Sequence, residues 1–148
     1  MQRRAAVLLV ICLGAMGPAG AFAQGKTEFR ARLATVPIDV AMQNVIAGSG
    51  AATATLTGTR LTVSGTFAGL RSPATIARIH LAPKGLRGAS IFDLTVSTGT
   101  SGTISGTFEL TPVQIEDLSK SRLYIQLHSE KAPDGNLWGW LLPQERRR

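Results

Sequence analysis

The stretch that most constrains this chain is its last hairpin, residues 122–142, RLYIQLHSEKAPDGNLWGWLL. Side chains alternate between the two faces of a β-strand. On the first arm Leu123, Ile125 and Leu127 therefore share one face, and Tyr124, Gln126 and His128 the other. On the return arm Leu137, Gly139 and Leu141 alternate with Trp138, Trp140 and Leu142. A one-residue slip turns every side chain to the wrong face. Only one phase gathers the leucines, so one face is aliphatic core. The opposite face carries both tryptophans, the single tyrosine and one of the two histidines. The turn is expected on Pro133, Asp134 and Gly135. That register sets His128 opposite Trp138 and Gln126 opposite Trp140.

The start of the chain reads as a secretory signal, residues 1–23. Arg3 and Arg4 supply a positive n-region, and residues 5–16 form an apolar run too short to span a bilayer with ease. Ala21-Phe22-Ala23 is a small-x-small cleavage site, which places the mature start at Gln24. Cys12 follows Val10 and Ile11, where a lipid-attachment site wants small residues, and Ala5-Ala6-Val7 does not suit a twin-arginine signal. Of 148 residues, 125 remain, enough for one domain with one core. The only cysteine leaves with the signal, so stability must come from packing and not from disulfides. The expected location is secreted or periplasmic, with no transmembrane segment after cleavage.

Removing Arg3 and Arg4 leaves 14 Lys and Arg against nine acids, a net charge of +5. Three of those charges are the terminal 146–148 run and the rest are scattered. Nucleic-acid binders cluster Lys and Arg on one face or helix. No such cluster is visible, so nucleic acid is not an expected partner.

Residues 29–33 alternate as a first half-exposed strand, which Pro37 ends, and 38–47 make a short helical or irregular connection. From Ala51 the chain is rich in Thr, Val and Gly, the composition of strands joined by tight turns. Strands are expected at 52–57 and 60–67 around a Gly58-Thr59 turn, with Leu61, Val63 and Phe67 inward and Gly65 a bulge. Further strands follow at 74–82, 90–97 and 102–110. Thr111-Pro112-Val113-Gln114 is a capping box with proline at the first helical position. The helix it starts offers Val113, Ile115 and Leu118 to the core, with Glu116 and Asp117 near its positive end. Thr62–Phe67 is echoed by Thr103–Phe108, and each copy precedes a histidine and a Pro-x-Gly. Two related half-domains and convergent strand composition both explain that echo. The fold class is all-β: an antiparallel, Greek-key-like sandwich or barrel of seven to nine strands, with one short helix before the final hairpin.

Several segments resemble the CHRD domain, the module repeated in chordin and found singly in many exported bacterial proteins. They are Ala77-Arg78-Ile79-His80 with Pro83-Lys84-Gly85, Tyr124-Ile125-Gln126-Leu127-His128, and the return Pro133-Asp134-Gly135-Asn136-Leu137-Trp138-Gly139-Trp140. Phe29-Arg30-Ala31-Arg32-Leu33 and residues 64–70 also fit. The resemblance covers most of residues 24–148, with a domain core at about 28–143. Arg78 stands where that family often has its first histidine, and Trp138 and Trp140 where it often has Arg and Gln. A three-histidine metal role would lose a ligand here. The resemblance carries no general catalytic mechanism.

On the 74–82 strand Ile76, Arg78, His80 and Ala82 share one side. If that strand lies near the final hairpin, Arg78 and His80 join Tyr124, Gln126, His128, Trp138 and Trp140 in one partner-binding patch. Trp, Tyr and Arg dominate binding energetics, and flat aromatic faces suit sugar rings. The expected function is therefore an exported non-enzymatic module binding a protein or an envelope glycan, with no cofactor. The alternative is a small metal-binding or redox protein using His80 and His128, as copper-zinc superoxide dismutase shows a β-sandwich allows. Glu130 and Asp134 are the nearest further ligands, and a stable site usually takes three or four. Hydrolysis finds no support: there is no nucleophile elbow, HExxH or phosphate loop, and Ser129 points away from its neighbour His128.

Overall fold

Alternating apolar residues give nine strands among residues 25–35 and 39–145, the parts of the chain described in a computed structural model. The secretory signal, the start at Gln24, the stop at Pro37 and the terminal arginines lie outside the described residues. The strands are β1 (Lys26–Thr35), β2 (Ser49–Thr57), β3 (Arg60–Ala68), β4 (Ala74–Leu81), β5 (Ser90–Val96), β6 (Gly102–Glu109), β7 (Leu123–Ser129), β8 (Ala132–Trp140) and β9 (Leu142–Pro143). A 3-10 turn, Ala41–Asn44, joins β1 to β2, and one α-helix, α1 (Pro112–Ser119), joins β6 to β7.

Pairing runs β2-β3-β6-β5-β4-β7-β8-β1, and β1 also pairs with β2. The sheet therefore closes into an antiparallel eight-strand barrel, with β9 added beside β1. Closure removes the free edges that an open sheet must protect. The inward side of each strand supplies the core: Leu33, Leu61, Ile79, Leu123, Ile125, Leu127 and Leu137 are fully buried. Burying each such side chain is worth about 1.5–3 kcal/mol.

Local signals placed most elements within a residue or two. The Gly58-Thr59 turn joins β2 to β3, and Leu61, Val63 and Phe67 are buried. Gly65 is not a bulge, because β3 pairs without interruption on both sides. It is a close approach: a Cβ there would lie 2.6 Å from the Ala51 carbonyl oxygen. Thr111 caps α1 reciprocally with Gln114. Val113, however, is 68% exposed, while Leu118 is buried and Ile115 packs against the core. Glu116 and Asp117 fall past the first turn and pair instead with Lys120 and Arg122.

The echoed segments are direct neighbours, with Ser64 opposite Ser105 and Thr66 opposite Thr103. A local two-fold relates β2–β3 to β5–β6. It fails beyond them, because β4 adjoins β5 whereas its counterpart β7 adjoins β4 and not β2. The two histidine strands are neighbours in the barrel, not symmetry mates.

Candidate functional site

Strands β4, β7 and β8 lie side by side, and their inward residues are the barrel core. Their outward residues make one face: Arg78 and His80 from β4, Tyr124, Gln126 and His128 from β7, Trp138 and Trp140 from β8. Register sets Arg78 beside Gln126 and His80 beside Tyr124. It sets Gln126 opposite Trp138 and Tyr124 opposite Trp140. Leu127 faces Leu137 on the other side. The sorting of leucines inward and indoles outward thus holds, while the pairing is two residues from the expected one.

The shift comes from the turn. Glu130 and Lys131 turn the hairpin, and Ala132–Gly135 already belong to β8. Two steps along β7, Leu127 to Ser129, face five along β8, Leu137 to Ala132. The surplus forms a wide bulge with carbonyls that the ladder does not use. Side chains take them: His128 Nδ1 meets the Pro133 carbonyl at 2.7 Å, and Gln126 Nε2 donates to the Asp134 carbonyl at 3.0 Å. Asn136, fully buried, donates to Ser129 Oγ and accepts from the Ala47 N–H. Gly135 has φ 128°, and a Cβ there would meet Gln126 Nε2 at 2.1 Å. Only glycine fits that position.

A second layer comes from the loop after β4, residues 82–89. Gly88 N–H donates to the Tyr124 hydroxyl, Trp140 Nε1–H donates to the Ala82 carbonyl, and Arg87 donates to the Asp134 carbonyl. Under this loop and the bulge, Tyr124 is 0% and Gln126 3% exposed. Neither can be a partner contact, which corrects the expected patch: both are internal supports. Trp138, Trp140, Arg78, His80 and His128 remain partly exposed. Arg78 is paired with Asp93 at 2.7 Å across β5. Among the described residues, 39–47 of the connection do not line the surface beside the indoles.

The rings form a continuous cluster. His80 stacks on Tyr124 at 5.0 Å, Tyr124 meets Trp140 at 4.8 Å, and Trp138 meets Trp140 edge-on at 4.8 Å. Such pairs add about 0.5–1.5 kcal/mol beyond burial, so the indoles are held in place by their neighbours.

Both histidines are oriented alike. His80 Nδ1 lies 2.9 Å from the Gly88 carbonyl, and His128 Nδ1 2.7 Å from that of Pro133. A carbonyl only accepts, so each Nδ1 carries a proton and donates it, which leaves Nε2 on the far side of each ring. Those two Nε2 atoms are buried without a partner. Among the described residues no group of three or more His, Cys, Asp or Glu could hold a metal. The Glu130 and Asp134 candidates do not complete one.

Burial holds the His128 pKa below 6.5, against the pull of its Pro133 hydrogen bond; nearby positive charge on His80, Arg78 and Arg87 lowers it further. The unfolded chain therefore binds a proton that the folded one resists. This group's contribution to stability is fully present above about pH 6.5, falls as pH drops through that value, and levels below the folded pKa. His128→Asn keeps a donor for the Pro133 carbonyl but cannot titrate. Its melting temperature should vary less between about pH 7 and about pH 5 than that of the native protein. Equal slopes would contradict this origin. Glu109 and Glu116, with pKa values lowered by Thr59 and by Lys120 respectively, act only below about pH 4.5.

A closed antiparallel β-barrel with an ordered aromatic and histidine cluster on its outer wall defines the chain as a small all-β barrel. The CHRD domain family model matches residues 29–141, most of the chain. The chain belongs to the CHRD domain family. No curated protein and no solved structure matches it.

Proposed function

We propose that the chain is an exported, secreted or periplasmic, non-enzymatic binding module that engages a protein or a cell-envelope component through its outward aromatic face. One observation carries this reading. Two partly exposed indoles sit on the outer wall of a barrel whose apolar core is built from other residues, so core packing does not account for them. Ordered, partly exposed Trp is the residue type that most often anchors an interface. Family membership supports an extracellular-type module, and no helix among the described residues is long and apolar enough to cross a membrane. The test is co-sedimentation of purified protein with isolated envelope fractions. Trp138→Ala should weaken retention by roughly tenfold or more, the size of an interface hot spot. Equal retention of both proteins would refute the assignment.

The two buried, unpartnered Nε2 atoms favour a second reading, a metal-binding or redox protein using His80 and His128. Two imidazoles fall short of the usual three or four ligands, and Arg78 and Arg87 place positive charge nearby. Metal analysis of untagged protein separates the readings. The binding module predicts sub-stoichiometric copper, zinc or iron, whereas a stoichiometric metal lost in His80→Ala would establish the second.

A further inference from the structure

Beside the two indoles lies an open groove of 370 Å³. Its floor and walls are Trp138, Trp140 and Leu142, with Ala34 and Arg32 from β1 and Lys84 from the loop after β4. Ala34 pairs with Trp138, so Arg32, two residues earlier on the antiparallel strand, lies across from Trp140. No carboxylate lines the groove. Among the described residues neither Arg32 nor Lys84 takes part in an ion pair. A larger concavity, 480 Å³, at the β2–β3 turn lacks both properties: its Arg60 is already paired with its Glu109, and no aromatic ring lines it. The groove beside the indoles thus combines flat apolar faces with two cations that no described acid neutralises.

We propose that this groove binds an acidic glycan, with a uronic-acid ring laid against Trp138 and Trp140 and its carboxylate taken by Arg32 and Lys84. The proposal rests on the reading of the outward face as the partner surface, and gives that partner a chemistry. The ligand must offer an apolar face to an indole and a negative charge a few ångströms away. A uronate ring does both in one unit, since its axial C–H groups form a flat face and its carboxylate projects from the rim. Arg32 can take a carboxylate in a bidentate fork, and Lys84 as a point charge. An extended acidic peptide is the weaker candidate. Peptides gain affinity on sheets by adding a strand to a free edge. Here β8 is paired on both sides, with β7 and with β1, and β1 pairs in turn with β2. The indoles are also pre-set: Trp140 is pinned through its Nε1 to the Ala82 carbonyl and rests on buried Tyr124. A rigid platform binds a rigid ring with little ordering cost.

The test is a titration of the full chain, followed by tryptophan emission and calorimetry, with a hexamer of α-1,4-linked galacturonic acid. The neutral α-1,4-linked glucose hexamer and a hexaglutamate peptide are the controls. The acidic hexamer should shift the emission saturably and bind at least roughly tenfold tighter than either control. The double variant Arg32→Gln/Lys84→Gln should lose roughly tenfold or more, the loss expected for charge-assisted bonds. Both of those side chains are exposed, so this variant should melt as the native protein does. Trp140→Ala should abolish the shift. The proposal is overturned if the acidic hexamer fails to bind, if it binds the double variant as tightly as the native protein, or if hexaglutamate binds equally well. If the neutral hexamer binds as tightly and Trp138→Ala abolishes it, the acidic class falls while the aromatic face stands. If envelope retention survives Trp138→Ala, the face itself falls.

Discussion

Replacing Tyr124 by alanine is expected to remove about 3–5 kcal/mol of stability, the cost of truncating a large buried aromatic side chain. Tyr124 is wholly buried, stacked between His80 on β4 and Trp140 on β8. Its hydroxyl accepts from the Gly88 N–H at 3.1 Å. It joins three strands of the outer face to the loop that carries Lys84. The phenylalanine variant separates the two roles. Tyr124→Phe keeps the ring stack but leaves the Gly88 N–H without its acceptor, which costs about 1–3 kcal/mol if that donor stays buried. Urea unfolding gives both numbers, and amide exchange at Gly88 should speed up in the phenylalanine variant. An alanine variant within about 1 kcal/mol of the native protein would show that the ring is not a support.

Gly139→Ala is expected to cost about 3 kcal/mol, the upper end of ordinary overpacking. Gly139 lies between the two tryptophans, paired with Ile125, where β8 meets β1. A Cβ there would lie 2.3 Å from the Arg32 carbonyl oxygen and 3.0 Å from Leu33 Cδ2. The first contact is with backbone, so no side-chain rotation relieves it. Strand β8 or β1 must move at the seam that closes the barrel, and that seam positions Arg32 against Trp140. The melting temperature should fall by roughly 10 °C. A variant within about 0.5 kcal/mol of the native protein would contradict the close approach.

What could be read in advance follows the range of the interactions. Strand phase is local: alternation in Leu123, Ile125 and Leu127 fixes the inward face without knowledge of any neighbour. The capping box at Thr111 is equally local, with both bonds spanning three residues. The hairpin turn misled because Pro133-Asp134-Gly135 carries stronger turn residues than Glu130-Lys131, where the chain reverses. The bulge is stable because side chains of His128 and Gln126 satisfy its carbonyls. Such bonds leave no period in the sequence. The burial of Tyr124 depends on the loop 82–89, which folds back across the face. Arg32 was legible as an outward residue of β1, between inward Ala31 and Leu33. Its nearness to Trp140 comes from barrel closure across about a hundred residues of sequence, which composition and spacing do not record.

The protein has two tryptophans, and both lie on the proposed surface, so their emission reports on it without background. Iodide, an anion, should quench that emission strongly, and caesium far less, because Arg32 and Lys84 flank the indoles. A blue emission quenched by neither ion would place both indoles in a sealed core and leave the barrel without the partner surface described.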